Sequence, residues 1–132
     1  MANSLTFNTS VNAQVDALGF TANKGVSVGI TSSNAIQQSV TLSTSSYTQI
    51  SLGNLTNVRA LWFWNDNTVY TGSVISVATG STGANQIALM NPGDAAVIPW
   101  SGSFNSLYAE VVNGASGNGV TQGVIQYVAV QA

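Results

Sequence analysis

The chain reads as all-β: a single β-sandwich domain of jelly-roll or Greek-key type, residues 1–132, built from eight to ten short strands. Three observations predict this. Apolar residues recur at every second position in many short runs. Clusters of Gly, Pro, Asn, Asp and Ser punctuate those runs. No stretch carries the periodicity of an amphipathic helix. Strands of this kind bury one face against an opposite sheet and present the other to solvent or a neighbour.

Residues 4–16 alternate weakly, with Leu5, Phe7, Thr9 and Val11 on one parity, and form an arm or an edge strand that ends at a turn near Gly19. From Gly25 to Ile30 the alternation of Val26, Val28 and Ile30 is cleaner. Ser32, Ser33 and Asn34 then supply side chains that bond their own backbone, so a hairpin is expected with Ile36 to Ser43, where Ile36, Gln38, Val40 and Leu42 share a face. Tyr47 to Leu52 is a further short strand.

The densest stretch is Arg59 to Asn65, in which Leu61, Trp62, Phe63 and Trp64 stand in a row between turn-formers. Successive strand residues point to opposite faces, so Leu61 and Phe63 face one way and Trp62 and Trp64 the other. Both faces need cover. This predicts a central strand with one face on the opposite sheet and the other on a loop or a second subunit.

Asn65-Asp66-Asn67 reverses the chain into a strand over Thr68 to Thr79, with Gly72 marking a bulge or a close backbone approach. Gly80 to Gly83 is a loop and Gln86 to Met90 a strand. Asn91, Pro92, Gly93 and Asp94 are an exposed turn, since proline presets the first central angle and glycine accepts the positive one. The strand Ala95 to Trp100 ends at Pro99 or lies at an edge, because proline has no ladder donor. Leu107 to Val112 alternates, residues 113–119 form a glycine-rich loop, and Val124 to Val130 is a buried final strand.

Only 5% of the residues are charged, against about 25% in ordinary domains. They are Lys24, Arg59, Asp16, Asp66, Asp94 and Glu110. So little charge gives weak colloidal repulsion and favours association, so a homo-oligomer is expected. Two basic residues cannot neutralise a useful number of phosphates, which argues against a nucleic-acid partner. No apolar run approaches the roughly 20 residues of a spanning helix, so no membrane partner is expected. The start lacks a signal-peptide pattern, and the chain is expected to be complete as made.

Without histidine or cysteine, the commonest general base, metal ligands and thiol nucleophiles are missing, so neither an enzyme nor a cofactor or metal site is expected. The four carboxylates lie on separate segments, with no motif setting any pair at glycosidase spacing. Asp66 between two asparagines offers oxygen ligands but reads as a turn, because a calcium loop needs several more at fixed intervals. Gly114 to Gly119 lacks the lysine and the following helix of a phosphate-binding loop. The patterns Asn8-Thr9-Ser10 and Asn54-Leu55-Thr56 match glycosylation acceptors, which arise by chance in such a composition. Trp62, Trp64 and Trp100 are candidate anchors at core or subunit contacts, with stacking on a sugar, by these and by Tyr47, Tyr70, Tyr108 and Tyr127, as the alternative.

The order Ile50-Ser-Leu-Gly-Asn-Leu, Leu61-Trp-Phe-Trp-Asn65, Ala88-Leu-Met-Asn-Pro-Gly-Asp-Ala-Ala-Val-Ile-Pro99 and Ser106-Leu-Tyr-Ala109 resembles small virion proteins of tailed bacteriophages. The match covers residues 50 to 130, and the aromatic density of Leu61 to Trp64 departs from the plainer apolar strand of that group. The resemblance implies a capsid cement, or decoration, protein of jelly-roll fold on the surface of a phage head. It would be a homotrimer that clamps the major capsid protein. The alternative is a receptor- or carbohydrate-binding tip domain of a tail spike or fibre.

Overall fold

The computed structural model describes residues 3–15, 18–30, 35–56, 58–99, 106–112 and 119–131. Every regular element among them is a β-strand: β1 (Asn3–Val15), β2 (Leu18–Ile30), β3 (Ala35–Ser43), β4 (Thr48–Ile50), β5 (Val58–Asp66), β6 (Val74–Ala78), β7 (Gln86–Met90), β8 (Ala95–Pro99), β9 (Leu107–Val112) and β10 (Gln122–Gln131). Eight of them form two antiparallel four-stranded sheets, ordered β3-β10-β5-β8 and β4-β9-β6-β7, and β1 and β2 pair with each other as a separate ribbon. The protein is thus all-β, with its two larger sheets packed as a β-sandwich.

The core lies between the two sheets. Leu61 and Phe63 of β5, Ile125, Tyr127 and Ala129 of β10, and Leu42 of β3 meet Ile75 and Val77 of β6, Leu107, Ala109 and Val111 of β9, Ile50 of β4 and Met90 of β7. These residues alternate with outward ones along each strand, as period-two burial requires. The aromatic strand is interior to its sheet, between β10 and β8. The last strand lies between β3 and β5, and its Ile125, Tyr127 and Ala129 are fully buried.

The Tyr127 hydroxyl carries its polarity to the edge of the core, donating toward the Ser51 carbonyl at 2.5 Å and Gln38 Oε1 at 2.8 Å. Burial pushes its pKa up. Tyr127→Phe keeps the ring and removes the donor, and is expected to lower stability by about 1 kcal/mol. The midpoint of urea unfolding measures this, and an unchanged midpoint would assign the whole contribution to the ring.

Gly123 of β10 has a structural reason to lack a side chain. A Cβ there would stand 2.9 Å from both Ser73 Oγ and Val111 Cγ2, so the approach of the opposite sheet leaves no room for one.

Three expectations are corrected. The hairpin between Gly25–Ile30 and Ile36–Ser43 does not form. Instead β2 pairs along its whole length with β1, and β3 pairs with β10. Gly19 is not a turn but sits in β2 opposite Gln14. Here the cross-strand partner is chosen by matching apolar parity over thirteen residue pairs, which outweighs the turn chemistry of Ser32 to Asn34; those turn residues lie outside the described ones. Residues 3–15 thus pair in a ribbon that lies outside the two sandwich sheets.

The strand expected over Thr68 to Thr79 begins only at Val74. Side-chain acceptors capture the preceding backbone: Thr68 N donates to Asp66 Oδ1 at 3.0 Å and Gly72 N to Asn67 Oδ1 at 3.1 Å. Gly72 has φ +84°, which breaks strand geometry, and Val69 is left 65% exposed in the turn.

β8 is an edge strand and also ends at Pro99, so its missing donor interrupts no ladder.

Candidate functional surface

The outer face of the β3-β10-β5-β8 sheet is built by the residues of β5 that the core does not take. Leu61 and Phe63 are fully buried on the inner face, and Trp62 and Trp64 are half-buried on the outer one. Antiparallel register places Trp62 between Val128 and Val97, and Trp64 between Gln126 and Ala95. One strand further out, Gln37 stands beside Val128 and Ser39 beside Gln126. The face therefore grades from apolar on β8 and β5 to polar on β3, where Gln37, Ser39 and Thr41 are exposed. Two tryptophans two residues apart on one strand form a platform about 7 Å long.

A polar cluster closes one end of this face. Asp66, opposite Val124, accepts Thr68 N at 3.0 Å and Thr68 Oγ1 at 2.6 Å on one oxygen, and Gln126 Nε2 at 2.7 Å on the other. The Thr68 hydroxyl and amide, then Gln126, hold its carboxyl below the usual carboxylate range against a smaller opposing effect of desolvation. A depressed folded-state pKa means stabilisation that is complete above the unfolded pKa of about 3.9 and is lost as pH falls below it. Melting temperature measured from pH 6 down to pH 2 is expected to fall less steeply in Asp66→Asn than in the parent. Parallel curves would show that Asp66 makes no such contribution.

The turn of Asn91, Pro92, Gly93 and Asp94 is exposed at all four residues, as expected. Asp94 N donates to the Asn91 carbonyl at 3.0 Å, Asn91 N donates to Asp94 Oδ2 at 2.8 Å, and Gly93 takes φ +83°. That angle is open to glycine at little cost.

The turn is fastened to β5 by Asn65, a residue that composition and periodicity did not single out. Asn65 is fully buried. Its Nδ2 donates to the carbonyls of Ser73 at 2.8 Å, Met90 at 3.1 Å and Asn91 at 3.0 Å, and its Oδ1 accepts Ser73 Oγ at 3.3 Å. Its backbone adds two bonds, Asn65 N to the Asp94 carbonyl at 2.9 Å and Gly93 N to the Asn65 carbonyl at 3.1 Å. The signal in the sequence was an asparagine closing an apolar strand ahead of a Pro-Gly turn. Its burial depends on β6 and β7 arriving from elsewhere in the chain.

A groove of about 640 Å³ follows the loop from Gln49 through Ser51, Leu52, Gly53, Asn54 and Leu55 to Thr56. None of these side chains titrates near neutral pH, so the groove offers amides, hydroxyls and apolar surface but no acid or base. Among the described residues no three acidic, histidine or cysteine side chains cluster at metal-binding spacing. Trp62 and Trp64 are thus brought together on one face, and the Asn91 to Asp94 turn lies at the β7–β8 end of the sandwich. Trp100, Asp16 and residues 113–118 of the glycine-rich loop lie outside the described residues.

Fold and surface together define a class: an antiparallel two-sheet sandwich with a tryptophan-bearing outer face and a separate N-terminal ribbon. No family model, no curated protein and no solved structure matches the chain.

Proposed function

We propose that this chain is a non-enzymatic virion protein of jelly-roll fold, a cement or decoration protein that attaches as a homotrimer to the major capsid protein of a phage head. The observation that carries the reading is the order of the sandwich strands. Numbered from β3, the adjacent pairs first–eighth, second–seventh, third–sixth and fourth–fifth all occur, as β3·β10, β4·β9, β5·β8 and β6·β7. A long antiparallel ribbon wrapped into two sheets produces this nesting, and it supports a jelly-roll reading, an arrangement found in viral capsid and lectin domains.

The surface supports the same reading. A face with two half-buried tryptophans and almost no charge suits attachment by area burial and shape fit. Attachment of that kind is only weakly screened by salt. Purified expanded heads of the parent phage are expected to bind the protein saturably in a co-sedimentation assay, with little loss when salt is raised from about 0.1 to about 0.5 M. Light scattering on the free protein is expected to give a trimer. Absence of head binding, or its loss at the higher salt, overturns the reading.

The tryptophan platform also favours a second reading, a carbohydrate-binding tip domain of a tail spike or fibre, because two coplanar-capable rings on an open strand can stack on sugar faces. A glycan that binds and shifts tryptophan emission, together with no head binding, selects it.

A further inference from the structure

The outer face of the β4-β9-β6-β7 sheet carries chemistry that head attachment and the tryptophan platform leave unused. Leu107, Ala109 and Val111 of β9 enter the core, so Tyr108, Glu110 and Val112 point outward, all three half-buried. Antiparallel register sets Gln49 of β4 beside Tyr108, and Ser76 of β6 beside Glu110. Tyr47 precedes β4 by one residue, and alternation gives it the face of Gln49. Its hydroxyl lies 3.1 Å from Ser76 Oγ, so the phenol crosses β9 to reach β6 and passes beside Glu110. The crossing ring is the reason Ser76 is buried at an outward position.

The ring is also fixed at its far end. Gly83, in the loop between β6 and β7, has φ +78°, and a Cβ there would stand 2.6 Å from the Tyr47 hydroxyl oxygen and 2.7 Å from Cε2. Glycine lets that loop close against the phenol. Tyr47 is thus held in place before any ligand arrives, and such pre-organisation removes part of the cost of binding. Glu110 is the only charged residue of the four strands, which hold no lysine or arginine. Among the described residues its carboxylate makes no hydrogen bond or ion pair.

We propose that this face binds an organic ammonium group, with Glu110 as its counter-ion and the rings of Tyr108 and Tyr47 as its walls. Charge complementarity selects the cation. An anion would meet Glu110 with no basic group on these strands to offset the repulsion, and a purely apolar ligand would strip water from the carboxylate and return nothing. Neighbouring strands lie about 4.8 Å apart and residues two along a strand roughly 7 Å apart, so a cation at the Glu110 carboxylate can stand within the roughly 6 Å at which an aromatic face attracts it. A carboxylate between ring faces is the chemistry that recognises alkylated ammonium. A bare metal ion is not served by it, because no three acidic, histidine or cysteine side chains cluster among the described residues. The site lies on the sheet opposite the tryptophans, so neither head binding nor its absence bears on it.

A quaternary headgroup and a lysine-like primary amine share this chemistry, and the two arms of the test separate them. The isotope-labelled full chain is titrated with tetramethylammonium chloride and, separately, with n-butylammonium chloride, each against sodium chloride at equal ionic strength. Saturable shifts of the backbone amide resonances of Tyr108, Glu110 and Val112 are expected in at least one arm, and the tighter arm names the source. Glu110→Gln keeps the shape and removes the charge, and is expected to weaken binding by about tenfold or more. Tyr108→Leu keeps the bulk and removes the ring face, and is expected to weaken it by about fivefold. Asp94→Asn removes one negative charge from an exposed turn, and is expected to bind as the parent does. Dispersion of the amide spectrum shows whether each variant is folded, and Tyr108→Leu carries the test if Glu110→Gln is not. No saturable shift in either arm, shifts that fall on β5 and β10 instead, parent-like binding by either folded site variant, or equal weakening in Asp94→Asn would each overturn the proposal. So would methyl glucoside shifting the β9 amides when neither ammonium does, which would make the face a saccharide platform.

Discussion

Replacing Asn65 with alanine is expected to lower stability by about 3 kcal/mol, because two carbonyls held inside the sandwich, those of Ser73 and Met90, lose the donor they share. The third acceptor, the Asn91 carbonyl, belongs to an exposed residue and can turn to water. Loss at the first two follows the usual cost of roughly 1–3 kcal/mol for each buried polar group left unmatched. Asn65→Asp is expected to be worse at neutral pH and to recover partly on acidification. A carboxylate in that position would face three carbonyl oxygens with no hydrogen to give, whereas its protonated form regains one donor. Guanidinium unfolding at pH 7 and at pH 4 measures both variants. Equal stability of Asn65→Ala and the parent would remove Asn65 from the role assigned to it, and a loss in Asn65→Asp that deepens on acidification would contradict the donor argument.

Phe63→Ala and Trp62→Ala, neighbours on one strand, are expected to separate folding from association. Phe63 is fully buried, among Leu61, Ile125 and Tyr127 on its own sheet and residues of the opposite sheet. Truncating it leaves a cavity and is expected to cost about 3–5 kcal/mol of folding stability. A domain of this size has about 5–15 kcal/mol in hand, so the variant is expected to fold poorly or to melt far below the parent. Trp62 is half-buried on the outer face, and its truncation is expected to leave a folded protomer while weakening association by about 2 kcal/mol or more. Circular dichroism melting and light scattering on the two variants decide the matter. A Trp62→Ala protomer that melts as low as Phe63→Ala would place the indole in the fold rather than at an interface.

Much of the architecture is legible in the residues because period-two alternation is a local property. Leu61 and Phe63 against Trp62 and Trp64, the edge position of a strand ending at Pro99, and the Asn91 to Asp94 turn all follow from strand geometry and turn chemistry over a few residues. The Thr68 to Thr79 error has an equally local origin. Its alternation was real at Ile75 and Val77, but the carboxylate of Asp66 and the amide oxygen of Asn67 bind the backbone of Thr68 and Gly72 before a ladder can.

By itself the sequence determined the fold class, the low charge and the two faces of each strong strand, since composition and alternation need no partner to be read. Tertiary structure alone decided which strands are neighbours. Pairing of β3 with β10 rather than with β2, the place of β10 between β3 and β5, and the burial of Asn65 all depend on contacts between residues far apart in the chain. A strand's pattern states that it has an apolar face, and only the closure of the whole sandwich assigns the surface that covers it.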